Sequence, residues 1–243
     1  MRNIILCEGY TDFVLLQYFL RKAYGWQDKS PLGIRKNYFT SGRTLAKGEN
    51  SLDIGGCDGC SKILPALDGV LEMNRIGAKE EQYDRIVILV DRDEIETEAR
   101  YIDTLKEICS QRGVVTEQEP VNDQWIRCKC MNGQNREIEF QILLLILPFE
   151  ETGAMETFLL NGIAAESPYD AKIIRKCSQF VDTVDDEKRY LKNPRHITKA
   201  KFDVYFSVRT PVKQFKERQK ILKGVEWEKY SYIQTSLQKL AEL

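Results

Sequence analysis

The sequence predicts an α/β protein with a mostly parallel sheet flanked by helices, followed by a helical C-terminal extension. Two apolar runs, Ile4–Cys7 and Arg85–Val90, have strand length and do not alternate with polar residues, as expected of strands covered on both faces. Strand and helix patterns alternate over the first two thirds of the chain, which favours parallel pairing. The final third has helical patterns alone. We therefore expect one domain over residues 1–165 and a helical extension over residues 166–243 packed on it.

Local signals place the elements of the first half. Thr11 is expected to cap the first helix, because its hydroxyl can accept a hydrogen bond from a backbone amide. Residues 25–50 are polar and rich in glycine, and they predict a loop or hairpin around a short strand at Asn37–Thr40. The regular elements expected here are a strand at Ile4–Cys7, a helix from Thr11 to about Tyr24, a strand at Leu52–Ile54 and a helix at Cys60–Met73 with Pro65 in its first turns.

The second half contains a hairpin signal and several helical patterns. Asn-Gly is the strongest short turn signal, so Asn132-Gly133 predicts a β-hairpin insertion with arms at Trp125–Met131 and Arg136–Leu147. Helices are expected at Glu96–Gln111, from Met155 onward, and at Ala171–Val181, Thr198–Val208, Val212–Lys223 and about Tyr232–Leu240.

Composition narrows the class of protein. The chain has 243 residues, of which 42% are hydrophobic and 30% charged, enough apolar material for a sizeable core. Lys and Arg number 36 against 37 acidic residues, so the formal net charge of −1 argues against a protein that coats nucleic acid by bulk electrostatics. No secretory signal follows Met1, and the apolar stretch Ile142–Leu147 is too short to cross a bilayer. With seven cysteines, an odd number, a cytoplasmic protein with reduced thiols and no membrane association is expected.

Both apolar strands stop at carboxylates. Glu8 follows Ile4–Cys7, and Asp91 and Asp93 follow Arg85–Val90. Open α/β sheets place their chemistry at the carboxyl ends of strands. Carboxylates that converge there repel one another unless a hard cation with oxygen ligands neutralises them. A site for Mg²⁺ (or Mn²⁺) that serves phosphate chemistry is therefore predicted.

Glu8-Gly9 together with Asp91-Arg92-Asp93 resembles the signature of the Toprim domain, which topoisomerases, bacterial primases and OLD-family nucleases share. The resemblance covers roughly residues 1–165. Asp12, four residues after Glu8, is closer to the OLD-like nucleases and to small stand-alone bacterial Toprim proteins. The topoisomerase pattern has a third Asp where this chain has Ile95, and this difference argues against a topoisomerase.

The resemblance implies a Rossmann-like Toprim fold and a role for each acidic residue. Glu8 would act as general base or acid, or as a metal ligand. Asp91 and Asp93 would hold Mg²⁺, and Asp12 would complete the metal shell. A structural alternative stays open for all four, because acidic residues at strand ends and in first helical turns also favour the helix dipole.

OLD-like nucleases add a Glu after a later strand and a Lys near the end. Gly153-x-x-Glu156 resembles the first feature, so Glu156 is assigned as a metal ligand with Glu151 as the substitute. Lys199 is the nearest match to the Lys, which would stabilise transition-state charge. A solvated lysine on a helix face is the structural alternative.

The activity implied is metal-dependent hydrolysis of phosphodiester bonds in DNA or RNA. The alternative is a non-catalytic Toprim-like subunit that binds nucleic acid or phosphate within a larger complex. The sequence has no Gly-x-x-x-x-Gly-Lys-Ser/Thr loop, so an ATPase would have to be a partner. A homodimer is compatible with the sequence.

Two further groups are candidates for binding. Arg43 and Lys47, in a basic loop with Arg35 and Lys36, are expected to contact a nucleic-acid backbone, against the alternative of a plain solvated loop. Cys57-x-x-Cys60, with Cys128-x-Cys130, has the spacing of a structural zinc site. The surrounding glycine-rich turns do not resemble a zinc knuckle, so structural Zn²⁺ at Cys57 and Cys60 is the lesser hypothesis.

Overall fold

The computed structural model describes residues 1–29, 39–211 and 218–243. Strands and helices alternate up to Met155, and the elements after it are helical. The strands are β1 (Arg2–Cys7), β2 (Gln27–Asp28), β3 (Ser41–Lys47), β4 (Asn50–Gly56), β5 (Arg85–Asp91), β6 (Val115–Thr116), β7 (Trp125–Met131) and β8 (Glu137–Leu147). The helices are α1 (Tyr10–Tyr24), α2 (Cys60–Ile76), α3 (Thr97–Gln111), α4 (Met155–Glu166), α5 (Pro168–Val184), α6 (Pro194–Arg209), α7 (Arg218–Gly224) and α8 (Ser231–Ser236).

The strands form one mixed sheet with a parallel centre, in the order β2-β3-β4-β1-β5-β8-β7-β6. β1 pairs in parallel with β4 on one side and with β5 on the other. β5 and β8 also run in the same direction, because Gln141 donates to the carbonyl of Asp84 and Arg92 donates to that of Leu147. β3 and β7 are antiparallel to their inner neighbours β4 and β8. The α/β class is confirmed, and the sheet is parallel at its centre and mixed at its edges, where hairpins supply the outer strands.

The chain forms two compact units, of which the first comprises residues 1–90, 94–146 and 239–243. Its main apolar cluster lies on one face of the sheet, where α2 and α3 cover Ile4 and Leu6 of β1 together with alternate residues of β5 and β8. α1 packs against β1, β3 and β4. The continuous apolar runs of β1 and β5 follow from this arrangement, because both of their faces are buried.

The second unit comprises residues 91–93 and 147–238, and its core is helical. α4 packs against α5, α6 and α8. Aromatic rings fill the interior, with Phe202 and Phe206 centred 4.6 Å apart and Phe206 and Trp227 6.2 Å apart. α5 and α6 both begin at a proline preceded by a capping residue: Ser167 accepts from the amide of Asp170, and Asn193 from that of His196.

The hairpin expected around Asn132-Gly133 is confirmed, with β7 and β8 as its antiparallel arms. Its loop spans residues 132–136, and Asn135 is left-handed at φ 59°. The side chain of Asn132 accepts hydrogen bonds from the amides of Gln134 and Arg136. Pro65 lies in the second turn of α2, within the first turns as expected. The strand expected at Asn37–Thr40 lies largely outside the described residues, as does the start of the helix expected at Val212–Lys223.

The predicted domain boundary at residue 165 stays a prediction, as does the packing of the extension on the first domain. Within the described ranges, no helix is both long enough and apolar enough to cross a membrane.

Candidate functional site

Glu8 is held by backbone hydrogen bonds on two sides. Its amide donates to the carbonyl of Leu89 in β5 over 3.2 Å, and its carbonyl accepts from the amide of Gly59 over 3.0 Å. The residue is 5% exposed. Glu8 is therefore fixed where β1 ends, between the neighbouring strand and the turn that leads into α2.

Asp12 caps the helix that follows Glu8. α1 begins at Tyr10 with Gly9 as its N-cap, and glycine offers no side chain for capping. The Oδ2 atom of Asp12 accepts from the amide of Gly9 over 2.7 Å, and Asp12 is 2% exposed. A buried carboxylate is costly unless hydrogen bonds satisfy it. The expectation that Thr11 caps this helix was wrong, because the side chain that accepts from the amide of the N-cap residue is that of Asp12.

The turn after β4 lies against the Glu8 turn. The amide of Cys57 donates to the carbonyl of Cys7 over 2.9 Å, which joins the ends of β4 and β1. Gly59 has φ 120°, a backbone conformation that residues with a Cβ atom rarely adopt. Burial, and then the negative charge of Glu8, raise the pKa of the Cys57 thiol to about 12. The Cys57 thiol is therefore neutral.

Asp91, in the second unit, caps a helix from a distant part of the chain. It is the last residue of β5, and its Oδ1 atom accepts from the amide of Met155 over 2.9 Å. The N-cap of α4 is Ala154, whose side chain cannot accept a hydrogen bond. Asp91 thus satisfies the first amide of α4, one of the four that every helix leaves without an internal partner.

Arg92 fixes the same contact through its backbone. Its amide donates to Leu147 and its carbonyl accepts from Gly153, both over 2.8 Å, while its Nε atom donates to the carbonyl of Pro148 over 2.8 Å. Gly153 is needed here because a Cβ atom would lie 2.6 Å from Oγ1 of Thr157. Sequence reasoning treated Arg92 as the spacer of Asp-x-Asp and missed this role, for which the sequence carries no signal.

The structure therefore brings the Asp91 motif to the start of the helix that carries Glu156. Glu156 is the second residue of α4 and is 2% exposed. Asp93 is exposed in the segment after β5. Glu151, the substitute for Glu156, is exposed and accepts a hydrogen bond from Asn161. Glu156 is thus the more enclosed of the two acids.

The basic candidates are placed less tightly. Lys199 is half-buried in α6, and Lys201 nearby pairs with Asp182 over 2.9 Å. Arg43 and Lys47 lie in strand β3, so the expectation of a loop at these two residues was wrong.

Arg43 is also engaged within the protein. Its Nε atom donates to Asp28 over 2.9 Å, and this hydrogen bond holds the pKa of the Asp28 carboxyl below its usual range. The other members of the predicted basic loop, Arg35 and Lys36, lie outside the described residues.

Metal binding by the described side chains stays a prediction. Among the described residues, no group of three or more His, Cys, Asp or Glu side chains is arranged to hold a metal ion. Mg²⁺ commonly keeps several waters and takes only one or two carboxylates together with substrate phosphates. An ion held in that way would need fewer than three protein carboxylates at one point.

The cysteines of the two pairs differ in exposure, and structural zinc stays an untested hypothesis. Cys57 is buried and Cys60 exposed, and Cys128 and Cys130 are both buried on one face of β7. Burial raises the pKa of Cys128 to about 12, like that of Cys57. Zinc binds thiolates, so binding at either pair would release the thiol protons.

Comparison with known proteins places the chain in a family. A family model described as "Protein of unknown function (DUF3226)" matches residues 2–240. The chain belongs to this family. No curated protein matches the sequence.

The fold is similar to that of a solved archaeal protein. The crystal structure of hypothetical protein PH0156 from Pyrococcus horikoshii OT3 superposes with a TM-score of 0.53 at 15% identity, and the match covers 99% of this chain and 100% of that chain. At this identity the likeness shows the fold alone. A putative glyoxalase family protein from Bacillus anthracis matches 59% of this chain and 93% of its own at 14% identity, with a TM-score of 0.21 that carries no argument.

Proposed function

We propose that this DUF3226 protein is a Mg²⁺- or Mn²⁺-dependent nuclease that hydrolyses phosphodiester bonds in DNA or RNA. The observation that carries the proposal is the hydrogen bond from the amide of Met155 to Asp91. It attaches the Asp91-Arg92-Asp93 motif to the start of α4, where Glu156 lies. Three carboxylates that the Toprim resemblance assigns to a metal site thus belong to one small region of the second unit.

Glu8 belongs to the first unit, and its proposed role rests on its own position at the end of a strand. β1 and β5 are paired parallel strands, with Cys7 opposite Leu89 in the register. Glu8 follows the first strand and Asp91 ends the second. Carboxyl ends of adjacent parallel strands lie on one edge of a sheet, the edge at which open α/β proteins bind ligands.

Each residue is proposed for a role that its chemistry permits. When bound, a divalent ion supplies neutralisation of the charge that grows on phosphate oxygens. Asp91, Asp93 and Glu156 of the second unit are proposed as its oxygen ligands, and the role of Asp12 as a ligand stays a separate prediction. Glu8, enclosed and oriented by two backbone hydrogen bonds, is proposed to take a proton from water or to bind the ion. Lys199 is proposed to stabilise charge on the phosphate, and Arg43 and Lys47 to contact the polymer.

A non-catalytic binding subunit is the second candidate, and one observation favours it. Asp12 and Asp91 each accept a hydrogen bond from a backbone amide at the start of a helix. Such caps stabilise a helix whether or not a metal binds. If this is their whole function, the domain would hold nucleic acid or phosphate for a partner, such as an ATPase, without cutting it.

The test separates the charge of each acid from its structural hydrogen bond. Asp91→Asn keeps an oxygen that can accept from Met155, whereas Asp91→Ala removes it. Glu8→Gln and Asp93→Asn likewise keep shape and lose charge. We expect the three charge-removing variants to fold and to lose about a hundredfold or more of metal-dependent cleavage of supercoiled plasmid, single-stranded DNA or RNA.

Glu94→Gln is the matched control, because Glu94 is exposed, follows Asp93 directly and pairs only loosely with Arg100, over 3.5 Å. It should cleave like the wild type, and EDTA should stop both. Titration of Mn²⁺ into the folded protein reports binding separately. If the folded wild type binds oligonucleotide but cuts no substrate in either metal, the nuclease proposal fails and the binding subunit remains.

A further inference from the structure

We propose that the outer face of α5 binds single-stranded nucleic acid, with Lys172 and Lys176 on the phosphates and Tyr169 and Phe180 stacked on bases. The proposal rests on the proposed function in one respect, since it identifies where the polymer would be held. It needs no metal and no cleavage, because it concerns binding alone.

The four side chains form one row. Tyr169, Lys172, Lys176 and Phe180 are three, four and four residues apart, the spacing that places side chains above one another on a helix. At 1.5 Å per residue the row is about 16 Å long. Its aromatic ends are open to solvent: Tyr169 is 75% exposed and Phe180 is 54% exposed.

The buried residues of α5 fix this row on the outside. Cys177 and Val181, which are one turn apart, are the buried side chains of the helix. Lys176 and Phe180 precede them by one residue, a rotation of about 100° around the helix axis. Arg175 is also exposed and widens the row on the side of the lysines.

The positive charges of this face are uncompensated. Among the described residues, Lys172, Arg175 and Lys176 have no ion-pair partner. The acids of the same helix are engaged elsewhere: Asp170 accepts from the hydroxyl of Tyr205 over 2.8 Å, and Asp182 pairs with Lys201 over 2.9 Å. The outer face of α5 is therefore cationic although acids are present in the helix.

Charge is also segregated along the sequence. Residues 168–209, which span α5 and α6, contain ten Lys and Arg and six Asp and Glu, so this segment carries +4 in a chain whose net charge is −1. A local concentration of positive charge is what a polyanion requires, and an overall charge near zero does not oppose it.

The aromatic rings select the kind of polyanion. Proteins that hold single strands combine a cationic track with aromatic side chains on which bases stack. In a duplex, the faces of the bases are covered by their neighbours, so exposed rings such as Tyr169 and Phe180 gain nothing from it. A single strand can use both ends of the row.

The experiment measures binding of labelled 20-nucleotide oligo(dT), oligo(U) and a 20-base-pair duplex in EDTA by fluorescence anisotropy, over a range of salt. We expect both single strands to bind more tightly than the duplex. Lys172→Gln with Lys176→Gln should reduce the slope of log affinity against log salt by about 1.4, since each phosphate contact with a single strand contributes about 0.7. Tyr169→Ala with Phe180→Ala should weaken binding roughly fivefold or more per ring without changing that slope.

The matched control is Lys29→Gln with Lys79→Gln, which removes the same charge from two exposed lysines outside α5. It should bind like the wild type. An equal loss in this control, tighter binding of the duplex, or binding only to anionic phospholipid vesicles overturns the proposal. If oligonucleotide binding through the row persists while no metal-dependent cleavage occurs, the proposed nuclease fails and this inference stands.

Discussion

Individual carboxylates in this protein have a measurable structural task beside any chemical one. Asp12 accepts from Gly9, and Asp91 accepts from Met155, so each satisfies an amide at a helix start. A cap of this kind contributes about 0.5–2 kcal/mol to stability. A loss of activity in an alanine variant would therefore not identify a metal ligand. Comparison of asparagine with alanine at the same position separates the two roles.

The cysteines show how burial determines the reactivity of a residue. Cys60 is exposed and the other six are buried. Burial raises the pKa of Cys109 to about 11 and that of Cys57 and Cys128 to about 12. A thiol reacts as the thiolate, and at pH 8 these three buried groups are protonated.

We predict that a thiol reagent such as Ellman's reagent modifies one cysteine rapidly in the native protein at pH 8 and seven after denaturation. Cys60→Ser should remove the rapid reaction and leave six. Rapid modification of two or more thiols in the folded protein would contradict the burial of the other six cysteines. Zinc content measured on the same sample tests the zinc hypothesis independently.

At the scale of elements, the second unit depends on a close contact between two helices. Gly162 lies in α4, and a Cβ atom there would be 2.7 Å from Cγ1 of Ile233 in α8. Ile233 is fully buried. The glycine therefore allows α8 to approach α4 more closely than any other residue would.

The sign of the change in stability caused by Gly162→Ala tests this contact. In a helix without the contact, Gly→Ala stabilises by roughly 0.5–1 kcal/mol. Because Ile233 occupies the space, we predict instead that Gly162→Ala lowers the free energy of unfolding by about 1–3 kcal/mol. Urea denaturation measures it.

The double variant supplies the control. Ile233→Ala alone should cost about 2–5 kcal/mol, through the cavity that it leaves. Combined with Gly162→Ala, the total should be less than the sum of the two single costs, because the new methyl group no longer meets Ile233. Additive costs would show that the helices do not pack in this way.

For the whole molecule, the division into two compact units does not follow the order of the sequence. The first unit takes in residues 239–243 from the end of the chain, where Leu240 and Leu243 are buried and Lys239 pairs with Asp123 over 2.8 Å. α4, which precedes the predicted boundary at residue 165, packs against three helices that follow it.

We accordingly predict that a fragment of residues 1–165 does not fold stably. It would expose the apolar side of α4, including the fully buried Phe158 and Leu159, and it would lack Leu240 and Leu243. Circular dichroism and urea titration of the fragment, beside the full chain, should show aggregation or no cooperative transition. A soluble fragment with a cooperative transition would instead support the predicted domain boundary.

Much of the fold follows from local patterns. The apolar runs at Ile4–Cys7 and Arg85–Val90 predicted buried strands. Two of the helices predicted from periodicity begin earlier than expected, at Pro168 and Pro194. Glu8 and Asp91 were expected at the ends of neighbouring strands. The direct pairing of β1 with β5 confirms that these two strands are neighbours. The hairpin after Met131 also follows from a local signal, and the Asn132 side chain stabilises its loop by accepting from two later amides.

The sequence by itself determined the α/β class, the positions of the central strands β1 and β5 and the acids at their ends, because hydrophobic periodicity and strand ends are local properties. Only the tertiary structure decided that Asp91 caps α4 some sixty residues later, that Arg43 pairs with Asp28, and that the outer strands make the sheet mixed. These outcomes depend on which distant segments meet. Hydrogen bonds and ion pairs form between atoms that are close in space, and no periodic pattern in the sequence identifies which distant residues form them.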